Sequence, residues 1–389
     1  MKPSPTEAVI VATKRTPIGR AFKGSLVGHR GDDLAAHAIK ATLAQVPQLD
    51  PSSIEDLILG CGQPAGEQGY NLARPVTLLA GLSQAAGTTV NRYCASSLQA
   101  LRMGFHAIRA GEGEAFMIGG VEAVSRFVKG KADGMEDSKN PRFFDAAEAL
   151  PEVYLPMGET AERVADAFDV TRLEMDAYAA ESQRRAAAAV EAGLFDREIT
   201  AVPQPDGSFF ARDECPRPGS TAEKLAALKP VFRQDGRVTA GNACPLNDGA
   251  VAALLLSAER AEQLGVLPRA RIVATAVSAL DPQIMGVGPI EASRRALKRA
   301  NMSIADIDRV ELNEAFAAQV IPSMRALAID HEKLNVRGGA IALGHPFGMT
   351  GLRLVTTLLH SLEDDDQEIG LATLCVGGGQ GMALILQRL

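Results

Sequence analysis

A cysteine between an apparent strand and an Ala/Leu-rich helix is the first residue that could do chemistry. Cys94 lies in the sequence VNRYCASSLQALRM, and a helix is predicted over residues 94–110. A helix N-terminus favours negative charge through its dipole and its free N–H groups, so it lowers the pKa of a thiol and activates it as a nucleophile. Taken alone, however, a cysteine here is more often a small buried hydrophobic residue.

A second segment, dense in glycine, carries a histidine. His345 lies within GGAIALGHPFGMTG, residues 338–351, and five of these residues are glycines. Such a loop lets the backbone approach a ligand closely. Because the packing of a helix or strand does not require so many glycines, the pattern favours a functional loop over a structural histidine.

Two further segments place polar groups at strand ends. Cys375 follows a predicted strand, residues 371–374, and precedes VGGGQG. Asn313 ends another predicted strand in the sequence ELNEAFA, where an amide can fix a water or a carbonyl or simply form a turn. No Lys-Ser/Thr pair follows the glycines and no GxGxxG opens a helix within a βαβ unit, which argues against a phosphate-binding loop.

The cysteine spacing bears on metal binding and on the cellular compartment. The cysteines form neither an even set nor a CxxC pair; they are Cys61, Cys94, Cys215, Cys244 and Cys375. A disulfide framework and a structural zinc site are therefore not expected, and a reducing, cytoplasmic location is predicted.

The composition is that of an ordinary globular protein. The chain has 389 residues, enough for roughly two or three domains. Hydrophobic residues make up 46% and charged residues 22%, which argues against disorder. The net charge of -7 disfavours binding to nucleic acid or anionic membranes. The apolar runs are far shorter than the ~20 residues that span a bilayer, and residues 1–13 show no secretory signal.

Short apolar runs alternate with Ala-rich segments, which predicts α/β architecture. Asp32 is expected to cap a helix over residues 34–46, and Gly119-Gly120 to close a short strand over 116–118. Strands become rare after about residue 125, which indicates an inserted domain with a long helical stretch over residues 159–193.

A weak internal repeat suggests duplication. Residues 54–60, IEDLILG, resemble residues 307–313, IDRVELN, and Cys94 and His345 follow these segments at nearly equal distances. The predicted domains are a first core half over residues 1–124 and 241–268, an inserted loop domain over 125–240, and a second core half over 269–389.

Together these segments resemble the thiolase family, whose characteristic stretches correspond to residues 91–97, 313–316, 338–351 and 375–381. Further similarity at residues 14–19, 157–162 and 241–249 extends the resemblance over essentially the whole chain. The resemblance implies two similar βαβαβαββ halves stacked as an αβαβα sandwich, with an inserted loop domain that covers coenzyme A.

The resemblance also implies a mechanism. Cys94 would take the acyl group, His345 would activate the thiol and bind the thioester oxygen, and Asn313 would hold a water in an oxyanion site. Cys375 would move the second proton, and the N–H groups of Cys94 and Gly377 would form another oxyanion hole. Residues expected to bind substrate and coenzyme A are Met157, Ala243, Cys244, Leu246, Ala315 and Phe316.

The implied activity is cleavage of a 3-ketoacyl-CoA by coenzyme A, or the reverse Claisen condensation, in fatty-acid or related acyl-CoA degradation. Coenzyme A is a substrate, and neither a tightly bound cofactor nor a metal is expected. A homodimer or homotetramer and association with other β-oxidation enzymes are implied. The basic residues within 126–131 could meet coenzyme A phosphates or form a surface cluster.

Departures from the family pattern keep alternatives open. Cys244-Pro245 stands where members often have Ser-Gly, and Pro156 where short-chain members often have histidine. A biosynthetic acetoacetyl-CoA thiolase and a catalytically silent acyl-CoA-binding protein are the alternatives. A decarboxylating ketoacyl synthase would usually carry a histidine in place of Asn313, and a Cys-His hydrolase would not need Cys375.

Overall fold

Buried apolar strands build the framework of the protein, in a computed structural model that describes residues 4–127 and 139–389. Every residue of the strand Asn247–Ser257 is buried, as expected for a strand covered on both faces. Within the described residues the strands are β1 (Ala8–Arg15), β2 (Gly19–Arg20), β3 (Asp56–Cys61), β4 (Ala86–Val90), β5 (Ala115–Ala123), β6 (Val202–Pro203), β7 (Phe209–Phe210), β8 (Asn247–Ser257), β9 (Ala270–Ala279), β10 (Arg309–Leu312), β11 (Ile369–Val376) and β12 (Gln380–Arg388).

The helices lie mainly between these strands in the sequence. In the described part of the chain they are α1 (Gly31–Leu43), α2 (Ala73–Ala80), α3 (Ser96–Ala110), α4 (Met157–Ala167), α5 (Arg172–Glu191), α6 (Ala222–Ala226), α7 (Ala258–Leu264), α8 (Gly288–Ala300), α9 (Ala317–Leu327), α10 (Ala340–Leu343) and α11 (Phe347–Asp364). Over residues 4–127 and 139–389, no helix combines the length and the apolar character needed to cross a membrane.

The sheet order is duplicated. The first half runs β1-β8-β5-β3-β4 and the second runs β9-β12-β11-β10. Neighbouring strands pair in the same directions in both halves. The pairs β1-β8 and β8-β5 are antiparallel and β5-β3 is parallel. Likewise β9-β12 and β12-β11 are antiparallel and β11-β10 is parallel. A short antiparallel contact between β1 and β9 joins the halves. The predicted thiolase-like fold, with two similar halves, is confirmed.

The two halves differ at the outer edge of the sheet, where β4 of the first half has no full counterpart in the second. In the first half, β4 pairs in parallel with β3. The second half has at the equivalent place only a parallel bridge between Val310 and Leu334. The chain after Leu334 is therefore free to form the glycine-rich loop that leads to His345.

Alternation along the strands divides the interior into stacked cores. In β8 the even-numbered residues of 250–256 pack with α1 and α2, and the odd-numbered residues of 251–255 pack with α3 and α11. In β12 the even-numbered residues of 382–386 join the same central core, whereas Ala383 and Ile385 pack with α8 and α9. Because successive side chains of a strand point to opposite faces, five layers result, with α3 and α11 between the two halves.

The region predicted as an insertion packs on the second half. Met175, Tyr178 and Ala179 of α5 share a core with Val320 of α9. The predicted helical stretch is two helices rather than one, since Asp169 has a φ of 51° and Thr171 starts α5 with a capping box. The exact domain limits stay a prediction.

Two local expectations are wrong. Asp32 does not cap α1, because its carboxylate accepts two bonds of 2.9 Å from the guanidinium of Arg30, which occupies the N-cap position. Gly119 and Gly120 lie inside β5 instead of ending it. A Cβ on Gly120 would come within 2.5 Å of the carbonyl oxygen of Gly348, so the glycine marks the close approach of α11 to the strand.

Candidate active site

Cys94 lies on a tight turn between β4 and α3. The preceding residue, Tyr93, has a φ of 44°, which is rare for a side chain of this size. Local bonds hold the turn: the Asn91 side chain accepts from the Tyr93 N–H at 2.8 Å, and the Ser96 hydroxyl accepts from the Arg92 N–H at 2.9 Å. The strained turn places Cys94 at the N-terminal end of α3, in the central helix layer.

The thiol of Cys94 is neutral in this setting. Burial raises its pKa to about 12, and the carboxylate of Glu122 acts in the same direction. The backbone N–H groups of Cys94 and Gly377 face the sulfur and oppose this shift without overcoming it. The predicted lowering of the thiol pKa is therefore wrong for this site, because desolvation outweighs the helix N-terminus, and a base is needed to form the thiolate.

His345 is fixed as a neutral base. The Thr350 hydroxyl donates its proton to the Pro346 carbonyl oxygen at 2.7 Å, so it accepts a bond from Nδ1 of His345, also at 2.7 Å. This arrangement assigns the proton to Nδ1 and leaves Nε2 as an acceptor. Burial, assisted by the Arg353 cation, lowers the pKa of His345 to about 3, which keeps the ring neutral near pH 7.

Asn313 lies next to the free ring nitrogen. Its amide nitrogen is 3.4 Å from Nε2 of His345. Its side-chain oxygen is buried and has no hydrogen-bond partner among the described residues. An unpaired buried acceptor costs about 1–3 kcal/mol. A water bound here would meet the amide and the imidazole together, and a substrate oxygen would do so once Nε2 carries a proton.

Cys375 ends β11 with its thiol buried. The Sγ atom donates to the side-chain oxygen of Gln319 at 2.7 Å, and Gln319 in turn donates to the Asn313 carbonyl oxygen at 3.1 Å. Burial, followed by the nearby Cys94 and Cys244, raises the pKa of Cys375 well above its usual value. The site therefore offers a second, protonated thiol near the first.

The wall beside these thiols is made by two paired segments. Cys244 donates its N–H to the Ala315 carbonyl oxygen at 2.9 Å, and Ala243 forms an antiparallel bridge with Phe316. Phe316 meets Phe232 edge-on, with ring centroids 6.3 Å apart. Burial raises the pKa of Cys244, and the nearby Cys94 contributes.

A buried carboxylate joins the two halves behind the site. Glu122 accepts from the N–H groups of Gly62 and Gly348, both at 2.8 Å, and from the Gln68 amide at 2.9 Å. Because Gly348 belongs to the first turn of α11, Glu122 ties the His345 loop to the first half. In the described residues no group of three or more His, Cys, Asp or Glu could hold a metal ion.

Two family models cover nearly the whole chain. One, described as the thiolase N-terminal domain, matches residues 8–259, and the other, the thiolase C-terminal domain, matches residues 266–388. The chain belongs to the thiolase family. It is therefore an acyltransferase, as the resemblance implied.

Curated thiolases are similar over the full length. A 3-ketoacyl-CoA thiolase of Aeromonas salmonicida is 44% identical, with 98% of this chain and 99% of that protein covered. A β-ketoadipyl-CoA thiolase of Pseudomonas aeruginosa is 46% identical, with the same coverage of both chains. The two names differ in the acyl group, so the likeness by itself does not select a substrate.

Solved thiolase structures agree with the fold. The dimeric peroxisomal thiolase of Saccharomyces cerevisiae superposes with a TM-score of 0.94 at 35% identity and covers 100% of this chain and 99% of its own. The human mitochondrial 3-ketoacyl-CoA thiolase in complex with CoA gives a TM-score of 0.88 at 38% identity, with 99% of each chain covered.

The structure brings together the five residues that the thiolase resemblance singled out for catalysis. Gly377 faces Cys94, Cys375 lies close to both Cys94 and Cys244, and Asn313 is next to His345. Met157 lies near the Gly377 turn, because a Cβ on Gly377 would be 3.8 Å from its sulfur. Leu246 is half exposed near the outer end of the wall. The roles of these residues stay predictions.

The sequence reasoning missed four residues whose contacts hold the site together. They are Glu122, Asn247, Gln319 and Thr350. Asn247 accepts the backbone N–H of His345 at 2.9 Å and so fixes the loop from the first half. Only Thr350 carried a usable signal, since a hydroxyl in the first turn of the helix after His345 can reach back to the ring.

Proposed function

We propose that the chain catalyses coenzyme-A-dependent cleavage of a 3-ketoacyl-CoA through an acyl-thioester on Cys94. The arrangement that carries this proposal is a neutral thiol, Cys94, on a turn that packs against α11, and a buried imidazole just before that helix, His345, whose Nε2 is unprotonated. A second protonated thiol, Cys375, supplies the proton donor that cleavage of a carbon-carbon bond requires.

In the first half-reaction, Nε2 of His345 takes the proton of the Cys94 thiol as sulfur attacks the 3-keto carbon. The N–H groups of Cys94 and Gly377 then stabilise the oxyanion on that carbon, and each such donor typically contributes ~10²–10³ in rate. The bond between carbons 2 and 3 breaks, and the acetyl-CoA enolate takes a proton from Cys375. His345 and Asn313 stabilise the enolate oxygen until that proton arrives.

In the second half-reaction, coenzyme A replaces acetyl-CoA, and its thiol gives its proton to the Cys375 thiolate as it attacks the Cys94 thioester. The same N–H groups stabilise the tetrahedral intermediate, and Cys94 leaves and recovers its proton from His345. Because a thiolate both attacks and leaves well, the acyl group stays activated throughout, and the kinetics are ping-pong. The reverse sequence is a Claisen condensation, and a degradative direction is proposed from the names of the similar curated thiolases.

Coenzyme A is proposed to lie along the exposed apolar edge of the wall. Leu228, Phe232 and Leu246 are each 38–47% exposed there, which suits the pantetheine arm. Arg217 lines a cleft with Ala243. In the described part of the chain it has no carboxylate partner, so it is free to meet a phosphate.

The basic segment 126–131, which the sequence offered as a site for the coenzyme A phosphates, is partly engaged with a protein carboxylate. Arg126 forms an ion pair with Glu67 at 2.5 Å. Residues 128–131 of that segment lie outside the described residues. The region around Arg217 is therefore the better supported phosphate site.

A homodimer is proposed from the edge of the sheet. β4 ends the strand order, and next to it Leu78 and Leu79 are 54% and 41% exposed and Tyr70 is fully exposed. An uncovered edge strand beside apolar side chains is a natural pairing surface. Association with other β-oxidation enzymes and a cytoplasmic location stay predictions from the sequence.

Rapid-quench kinetics tests the proposed function. Mixing the protein with acetoacetyl-CoA alone should give a burst of acetyl-CoA equal to the enzyme sites, with one acetyl group retained on the protein, and coenzyme A should restore turnover. A silent acyl-CoA-binding protein would give neither the burst nor the retained acetyl group. Product formation only when both substrates are present would contradict the ping-pong order.

A further inference from the structure

A cavity of about 490 Å³ lies beside the catalytic turn and takes no part in the chemistry proposed above. It is lined by residues 143–146, 149–150 and 152–156. Val153 connects it to the site, because a Cβ on Gly378 would lie 3.7 Å from the Val153 side chain. The volume falls within the ~300–1,000 Å³ typical of pockets for small molecules.

Aromatic rings form the cavity walls. The rings of Phe143 and Tyr154 meet edge-on with centroids 5.4 Å apart, and Phe144 stacks on Tyr154 at 5.9 Å with an interplanar angle of 15°. Leu150 and Val153 complete the apolar lining. Such walls favour a flat or bulky apolar group, since aromatic pairs gain from stacked and edge-on contacts as well as from burial.

The charges around the cavity do not favour an anion. Asp145 and Glu152 belong to the lining. Glu152 neutralises Arg163 at 2.8 Å. Arg142, at the start of the lining segment, is bound to Glu148 at 2.9 Å.

One more cation lies above the rings. The Lys139 ammonium is 5.7 Å from the centroid of Tyr154 and 6.0 Å from that of Phe144, which is the geometry of a cation-π contact. It is exposed and does not belong to the cavity lining. The lysine is held over the faces of two lining rings, and Asp145 is a lining carboxylate without an ion pair in the described part of the chain.

We propose that this cavity binds the distal end of the acyl chain and selects an uncharged, bulky apolar group, such as a ring, over an acyl chain that ends in a carboxylate. The inference rests on the proposed thiolysis and names its substrate class. A carboxylate carried into the cavity would meet Asp145, which has no ion pair among the described residues, whereas the guanidinium next to the lining, Arg163, is already paired with Glu152. A phenyl group would instead stack against Phe144 and Tyr154.

Three substrates test the selection in the full-length protein. The measurement is kcat/KM for thiolysis of 3-oxohexanoyl-CoA, of 3-oxoadipyl-CoA, which has the same chain length but ends in a carboxylate, and of 3-oxo-5-phenylpentanoyl-CoA. We expect the phenyl substrate to be best and the adipyl substrate to be at least about tenfold worse than the hexanoyl one. Equal or higher kcat/KM for 3-oxoadipyl-CoA would overturn the proposal.

Variants of the lining test whether the cavity is responsible. Ala146→Trp should fill it, and Phe144→Ala should remove a wall, so each should lower the ratio of phenyl to acetoacetyl thiolysis about tenfold. Phe209→Ala is the matched control, because Phe209 is 66% exposed on the β6-β7 hairpin and Phe144 is 65% exposed. An unchanged ratio in both lining variants would place the acyl chain elsewhere and overturn the inference.

The lysine above the rings provides the opposite test. If Lys139 were the partner of a terminal carboxylate, Lys139→Met would selectively lower kcat/KM for 3-oxoadipyl-CoA, and that result would overturn the proposal. Thiolysis of acetoacetyl-CoA separates the two levels of inference. Its presence without a preference for the phenyl substrate overturns only the substrate class, whereas its absence overturns the proposed function as well.

Discussion

Cys94 and His345 occupy equivalent places in the two halves of the molecule. Each lies just before a central helix, since α3 begins at Ser96 and α11 at Phe347. The duplicated fold thus brings two helix starts to one site and gives one of them a nucleophile and the other a base.

The backbone repeats the correspondence. Tyr93, before the cysteine, has a φ of 44°, and Gly344, before the histidine, has a φ of 109°. Both turns need a conformation that residues with a side chain rarely take; it is strained at Tyr93, whereas Gly344 adopts it without strain.

The two turns differ in what holds them. The turn at Cys94 is fixed mainly by its own neighbours, Asn91 and Ser96, with one bond of 2.7 Å from Arg92 to Gln380 of the second half. The loop at His345 is held from the first half at two points, by Asn247 at its backbone and by Glu122 at the start of α11. The proposed nucleophile is therefore positioned largely by local bonds, whereas the proposed base depends more on the assembly of both halves.

Burial acts on both groups in opposite directions and leaves both neutral. It raises the pKa of Cys94 to about 12 and lowers that of His345 to about 3. Between those values the resting site holds a thiol and a free imidazole, not a thiolate and an imidazolium. We therefore propose that the catalytic thiolate forms only when the proton moves to Nε2 as the substrate is attacked.

Removal of the nucleophile should have the largest effect. Cys94→Ala should abolish thiolysis and covalent labelling by acetyl-CoA, because Cys94 is the residue proposed to carry the acyl thioester. Mass spectrometry of the intact protein after acetyl-CoA treatment measures the label. An acetyl group on another residue of the variant would refute the assignment of Cys94.

Removal of the base should slow both half-reactions by about 10²–10⁴. In the wild type the neutral His345 is available above about pH 3, so the acylation rate should be flat between pH 5 and 9. In His345→Ala only thiolate reacts, and with a Cys94 pKa of about 12 the rate should rise about tenfold per pH unit over that interval.

The alkylation rate of Cys94 by iodoacetamide, followed against pH, gives the same profile without substrate. A flat profile in His345→Ala, or equal rates in wild type and variant at pH 7, would show that the two halves do not depend on each other in this way. The comparison of profiles is independent of any general loss of active protein.

The second thiol should affect only the step that breaks carbon-carbon bonds. Cys375→Ser should slow thiolysis by about 10²–10⁴ and acylation by acetyl-CoA much less, since that acylation breaks no such bond. The measured quantity is the ratio of thiolysis to acetyl exchange between acetyl-CoA and a coenzyme A analogue. An unchanged ratio would make Cys375 a packing residue, and the proton that the acetyl-CoA enolate needs would have to come from another group.

Sequence reasoning predicted the parts of the site that depend on neighbouring residues and missed those that the folded core creates. The setting of Cys94 is local, so the residue, its helix and the family stretch around it were readable along the chain. The direction of its pKa was predicted wrongly, because burial and Glu122 are products of the folded core. Gly120 was misread for the same reason, since the helix that approaches it comes from the other half.

The remote partners of the His345 loop were beyond reach on similar grounds. Asn247 and Glu122 contact this loop from elements remote in sequence, and nothing in their own segments indicates the contact. The duplicated strand order could be inferred only weakly from residues 54–60 and 307–313. The counterpart of β4 in the second half is reduced to one bridge at Leu334.

The smallest expected effect comes from Thr350, which holds the ring of His345. Thr350→Val keeps the side-chain shape but removes the acceptor for Nδ1–H, a loss of about 1–3 kcal/mol or roughly 5- to 150-fold in rate. The control is Thr356→Val in the same helix, because the Thr356 hydroxyl also makes one backbone bond, to Leu352 at 2.9 Å, and one side-chain bond, to Thr13 at 2.7 Å, without touching His345. Thr350→Ser should restore activity. Equal losses in the two valine variants would mean that Thr350 only stabilises α11, whereas a selective loss in Thr350→Val would show that this hydroxyl holds the ring of His345 in its active orientation.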